Sequence, residues 1–146
     1  MTDLRELYQE TILDHYRQPR NTGRLDDANR TAEGYNPLCG DKVTLYLKVE
    51  EGVIRDARFE GSGCAIATAS ASLMTESIKG KREDEALRLL EKIHGMVTGG
   101  GQTGDVGKLA VLAGVHEFPQ RVKCATLAWH TMKAALENVG EPVTTE

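Results

Sequence analysis

Apolar positions recur along this chain at more than one spacing, and each spacing predicts an element. In residues 3–17, DLRELYQETILDHYR, Leu4, Leu7, Tyr8, Ile12 and Tyr16 approximate one stripe of a helix, which should stop near Pro19. Residues 18–35 are polar and carry Gly, Asn and Asp, the composition of a surface loop. From residue 42 the period shortens. Val43, Leu45, Leu47 and Val49 alternate with Thr44, Tyr46, Lys48 and Glu50, as in a half-buried strand. Glu51-Gly52 reads as a turn, and Val53, Ala57 and Phe59 as a returning strand, so residues 42–60 predict a β-hairpin.

Helical spacing then returns. GSGC at 61–64 ends the second strand, its two glycines permitting unusual backbone angles. The run AIATASASLMTESIKG opens a helix within a residue or two of Cys64. Its Ala and Ser content suits close approach of another backbone better than hydroxyl catalysis. Residues 82–94 form a stronger amphipathic pattern, with Ala86, Leu89, Leu90 and Ile93 inward. TGGGQTGDVG at 98–107 is a flexible loop. It is not a phosphate loop, because Gly107-Lys108 is followed by Leu109 and no strand precedes it. KLAVLAGV reads as a further short helix. The last helix is expected from Arg121 to Asn138, introduced by Pro119, with Val122, Ala125, Trp129, Met132 and Leu136 on one face and Cys124 in or near its first turn. There is no internal repeat and no second domain. Residues 1–146 read as one α+β domain, a small antiparallel sheet with helices packed on one side and a candidate site at one end.

Composition narrows the function classes. The net charge is −4 and no Lys/Arg-rich run stands out, so a nucleic-acid partner has no electrostatic footprint. No stretch approaches the roughly 20 apolar residues of a membrane span. The opening MTDLRELYQE is acidic and amphipathic, unlike a secretion signal, which leads us to expect a cytoplasmic protein.

Candidate chemistry lies with the three cysteines, Cys39, Cys64 and Cys124. An odd number cannot all pair within the chain, and cytosolic thiols are normally reduced. Metal binding, sulfur or redox chemistry, and burial as small hydrophobes all remain open. Their settings are not random. Cys39 sits in NPLCGD, between Pro37 and Gly40, where a tight exposed turn is expected. Cys64 and Cys124 stand near helix starts, whose partial positive charge and unpaired N–H groups favour thiolate, the nucleophilic and metal-binding form. If the hairpin brings its ends together, Cys39 and Cys64 are neighbours. Asp41 is either a fourth ligand to a tetrahedral Zn²⁺ or a solvated turn residue bonded to nearby backbone.

Four blocks carry a resemblance that is more specific. DHYRQPRN at 14–21, NPLCGD at 36–41, GSGCAIATASASLM at 61–74 and RVKCATLAW at 121–129 resemble, in order, the SufU/IscU family of iron–sulfur cluster assembly. Scaffolds of the IscU type carry a His before the third Cys and an upstream LPPVK segment. This chain has Lys123 there and FPQRVK upstream, and a longer connection over residues 80–115. These departures resemble the SufU branch. That resemblance implies a SufU/IscU-like fold and a zinc-dependent sulfurtransferase. Such a protein takes persulfide sulfur from a PLP-containing, SufS-type cysteine desulfurase and passes it to downstream iron–sulfur scaffold machinery. It also implies Cys39, Asp41, Cys64 and Cys124 as zinc ligands and Cys39 as sulfur acceptor, released when a desulfurase His takes its place on the metal. The alternatives are a scaffold assembling a [2Fe–2S] cluster on the same cysteines and a binding module with purely structural zinc.

Arg121 and Lys123 lie just before Cys124. They either offset the anionic site or engage the partner, or are two solvated residues; cations at a helix start oppose its dipole, which favours a functional role. His15, His94, His116 and His130 lack paired metal spacing and read as structural or surface residues.

Overall fold

The structure, a computed structural model, describes residues 10–99, 106–138 and 140–144. The described elements run α1 (Glu10–Arg17), β1 (Arg30–Asn36), β2 (Asp41–Glu50), β3 (Val53–Ser62), α2 (Ala65–Ile78) and α3 (Glu83–Gly99). A 3-10 segment (Gly107–Glu117), α4 (Pro119–Leu136) and a short β4 (Val143–Thr144) follow. The sheet has the order β3-β2-β1-β4, antiparallel except for β4, which lies parallel to β1. This is the expected α+β arrangement, with helices packed against the apolar face of the sheet. Among the described residues no helix is long and apolar enough to cross a membrane.

The alternation in β2 does what it predicts. Val43, Leu45, Leu47 and Val49 are buried, while the intervening residues are exposed or half-exposed. The hairpin turn at Glu51 and Gly52 holds both residues at positive φ, 53° and 76°, the geometry whose twist matches flanking strands. On β3 the buried residues are Ile54, Ala57 and Phe59, an odd first step. The register explains it. Lys48 faces Asp56 while Val49 faces Ile54, so Arg55 is an inserted residue, a bulge that resets the parity.

The expected loop over 18–35 is in part a strand. Residues 30–36 form β1, and the reason it does not read as one is chemical: its inward positions are Ala32, Gly34 and Asn36. α4 crosses β1 so closely that a Cβ on Gly34 would run into Thr131 Oγ1 and Leu127 Cδ1. Small residues are therefore required where a strand signal would place large ones.

The helices follow their stripes with shifted limits. α1 is described only from Glu10, so Leu4, Leu7 and Tyr8 lie outside the described residues. Ile12 and His15 are its buried residues, and Tyr16 is 44% exposed rather than part of the stripe. α3 extends past the expected end to Gly99, adding Met96 and Val97 to the core; most of the expected loop, residues 100–105, lies outside the described residues. KLAVLAGV is helical, in 3-10 form. α4 begins at Pro119, and its buried residues include Trp129, Met132 and Leu136.

The DHYRQPRN block proves to be a clamp between α1 and α2. His15 Nδ1 lies 2.7 Å from Ser72 Oγ, and the Arg20 backbone N–H donates to the same oxygen at 2.9 Å. Arg20 pairs with Asp14 at 2.6 Å, and Asn21 Nδ2 donates to Thr75 Oγ1 at 3.2 Å. Ser70 Oγ donates to Ala125 O at 2.6 Å and accepts from Trp129 Nε1 at 3.1 Å, joining α2 to α4. The hydroxyls of Ser70, Ser72 and Thr75 are thus buried pins, each satisfied as burial demands.

Candidate metal centre

Three elements deliver the candidate residues to one end of the sheet. β1 ends at Asn36, which pairs across the ladder with Asp41, the first residue of β2. Between them Pro37, Leu38, Cys39 and Gly40 make the turn, closed by the Cys39 N–H donating to Asn36 O at 3.3 Å. Gly40 has φ +72°, which a residue with a side chain adopts only under strain, and it returns the chain to β2. Cys39 and its turn are exposed. Cys64 caps α2: its side chain accepts from the Ala67 N–H at 3.4 Å. Cys124, fully buried, comes from α4.

One donor atom each from Cys39, Asp41 and Cys124 lie within 4.8 Å of one another. The Cys124 and Cys39 sulfurs are 3.5 Å apart. Cys64 stands outside that mutually close set, but it is tied to it twice. Its backbone N–H donates to Asp41 Oδ1 at 2.9 Å, and its thiol lies within electrostatic reach of Cys124. Asp41 is therefore no solvated turn residue. It is 2% exposed, and its second oxygen accepts from Asn36 Nδ2 at 3.0 Å.

The electrostatics separate the thiols. The hydrogen bond from Cys124 pulls the Cys64 thiol down to about 6 against the opposing effect of burial, with the Ala67 N–H adding to the pull. Cys124 is pushed up, first because it donates to Cys64 and then because it is buried. A thiol has a single proton to give. Cys124 can thus serve Cys39 or Cys64, and Cys64 is the first of the pair to ionise.

Cys124 is the sixth residue of α4, not part of its first turn. The helix start that sequence suggested as its source of N–H groups is out of reach, and its sulfur lies instead 3.9 Å from Gln120 O. The N–H directed at it belongs to Asn36 Nδ2, at 3.5 Å. Arg121, half-buried, occupies the first turn. Lys123 is exposed and lines a separate groove of about 540 Å³ with Thr126, His130, Lys133 and His94. His94 and His130 meet edge to face, ring centroids 5.6 Å apart.

Two residues of the site were not singled out by sequence reasoning. Asn36 is wholly buried beside both Asp41 and Cys124. Its signal was a polar residue at an inward position of a strand that itself went unread. Gly63 has no positive φ; a Cβ there would lie 2.6 Å from Asp41 Oδ1. The glycine is needed for space, not for backbone freedom, and no periodicity announces that.

The donor set fits a metal ion that prefers sulfur with one oxygen. Thiolate and carboxylate are both anionic ligands, and tetrahedral Zn²⁺ takes either. Fold and cluster together define an α+β domain with a cysteine–aspartate centre at one end of its sheet. The chain belongs to the NifU-like N-terminal domain family, whose sequence profile matches residues 7–141. It is 47% identical over 139 residues to the iron–sulfur cluster assembly scaffold protein IscU of Thermotoga maritima, covering 93% of this chain and 96% of that one. It is 42% identical over 133 residues to the zinc-dependent sulfurtransferase SufU of Bacillus subtilis, covering 90% of each. The crystal structure of FiSufU from Fervidobacterium islandicum superposes with a TM-score of 0.86 at 37% identity, covering 92% of this chain and 99% of that one.

Proposed function

We propose that this protein is a zinc-dependent sulfurtransferase of iron–sulfur cluster assembly. In this reading it accepts persulfide sulfur from a PLP-dependent, SufS-type cysteine desulfurase and passes it to downstream scaffold machinery in the cytoplasm. The observation that carries the reading is the contrast between Cys39, exposed on a turn, and its neighbour Cys124, buried 3.5 Å away. The sulfurtransferase name of the Bacillus subtilis relative supports it.

Cys39, Asp41, Cys64 and Cys124 would hold the zinc, which when bound keeps thiolates anionic without redox chemistry of its own. Burial and hydrogen bonds fix three of the four. Asp41 is held from both oxygens, Cys64 by the Ala67 N–H, and Cys124 by its helix and Asn36. Cys39 sits on a turn open to solvent, so it is the thiol able to leave the cluster. The Cys39 thiolate attacks the outer sulfur of the donor's Cys–S–SH. A new S–S bond forms on Cys39 as the donor's S–S bond breaks, and the electron pair leaves on the donor's cysteine. Arg121 and Lys123 belong to the reading as residues of the partner-facing surface, Lys123 through its groove with the two histidines.

The test is desulfurase turnover with and without the zinc-loaded chain, alongside metal analysis. Wild type stimulates turnover; Cys39→Ala stays folded and does not. Absence of stimulation by zinc-loaded wild type overturns the reading. Unfolding of Cys39→Ala supports purely structural zinc instead. A second reading, a scaffold assembling a [2Fe–2S] cluster, is favoured by the name of the Thermotoga maritima relative. Anaerobic reconstitution that yields a cluster transferable to an apo-acceptor would establish it.

A further inference from the structure

We propose that Asn36 is the positioning residue of the cluster, its side-chain amide clamping Asp41 and Cys124 together and leaving Cys39 as the movable thiol. The proposal rests on the metal reading above and names the residue that organises that site.

The placement is specific. Asn36 is the last residue of β1 and 0% exposed, on a face whose other inward residues are Ala32 and Gly34. A primary amide has no business at such a position unless its polar atoms are engaged, because burial without partners is costly. One nitrogen reaches two groups from different elements. Nδ2 donates to Asp41 Oδ2 at 3.0 Å and to Cys124 Sγ at 3.5 Å, and Cys124 is 88 residues away in sequence. The orientation of the amide follows from chemistry, since a carboxylate only accepts, so the nitrogen must face it.

The consequence is electrostatic and geometric. Asp41 and Cys124 would both be anions when holding a divalent cation, and they sit within 4.8 Å of each other. Two N–H bonds from one rigid amide are directed at that repelling pair and fix its spacing before a metal arrives. Cys64 receives its own N–H from Ala67. Asn36 thereby divides the set into fixed members and one exchangeable member. No other side-chain type of this size repeats the arrangement. Asp at this position would turn an acceptor towards two acceptors, and Ala would leave the pair without its donor.

The test compares full-length wild type with Asn36→Asp and Asn36→Ala. Zinc affinity is read by chelator competition, the cobalt(II) form by its thiolate charge-transfer and ligand-field bands, and thiol access by mass-resolved iodoacetamide labelling of the zinc form. Both variants are expected to bind zinc about 10–100-fold more weakly. Their cobalt bands should shift, and labelling of Cys124 should rise relative to Cys39. A purely structural Asn36 would lower stability and leave the cobalt spectrum and labelling order unchanged.

Should either variant fail to fold, wild type loaded with NMR-active cadmium keeps the proposal exposed. A coupling from the metal through the Cys124 sulfur to the Asn36 side-chain N–H is expected, and its absence in a well-resolved spectrum overturns the clamp. Folded variants with wild-type affinity, spectrum and labelling overturn it as well, while leaving the metal reading intact. A wild type that takes up no zinc, cobalt or cadmium overturns the metal reading and this proposal together.

Discussion

Asp41 shows how much of the site depends on single atoms. Its two oxygens are held from opposite directions, by the Cys64 N–H and by Asn36 Nδ2. Space for it is provided by the missing side chain of Gly63. Gly63→Ala would set a methyl 2.6 Å from Oδ1, a separation that real Cβ atoms do not tolerate, so the carboxylate must move and its bond to Cys64 must lengthen. The backbone itself is not strained by the change, since Gly63 has no positive φ. On the zinc reading proposed above, we therefore expect a folded protein whose zinc affinity drops by about 10–100-fold, as for loss of a group that orients a ligand. Chelator competition with circular dichroism as the folding control measures it. The motif NPLCGD displayed Cys39 and Asp41 in the sequence, but the need for glycine at 63 is visible only once Asp41 is seen against it.

At the scale of elements, the buried hydroxyls of α2 are the joints between helices. Ser70 accepts from the Trp129 indole and donates to Ala125 O, so it fixes α4, and with it Cys124, against α2, which Cys64 caps. Ser70→Ala leaves the Trp129 N–H buried without that acceptor. The expected loss is about 1–3 kcal/mol, the usual cost of an orphaned buried donor. Urea unfolding followed by fluorescence reads it directly, because Trp129 is the one tryptophan in the chain. The periodic elements were the legible ones: β2, the hairpin turn, α3 and α4 each follow from spacing. β1 was not legible, because the packing of α4 on it selects Ala32 and Gly34, residues that carry no strand signal. α4 starts at Pro119, about half a turn before the start its spacing predicts, which moves Cys124 away from the helix N-terminus and leaves Asn36 to supply its N–H.

For the molecule as a whole, two histidines couple stability to pH. Burial lowers His15, and neighbouring Arg20 adds to it; burial likewise lowers His130, with His94 and Lys133 adding to it. Both therefore bind a proton less readily folded than unfolded. Their contribution is fully present above the unfolded value, 6.5, and is lost as pH falls below it through the folded values. Urea midpoints measured between about pH 5 and 8 should fall steeply below the unfolded histidine value, and above it keep rising gently because the lowered Cys64 thiol ionises earlier in the folded state than in the unfolded one. His15→Gln, which can keep a hydrogen bond to Ser72, should flatten part of that fall; an unchanged slope would discount His15 as a source.

The sequence by itself determined the class of fold, the family and the candidate residues of the site, because periodicity and local motifs are properties of neighbouring residues. The tertiary structure alone decided how those groups stand. Cys39, Asp41 and Cys124 form one close set, with Cys64 bonded to its edge. Asn36 and Gly63 shape it, and Lys123 turns to another groove. Those relations join residues far apart in the chain through hydrogen bonds and close contacts, and such contacts leave no period in the sequence that encodes them.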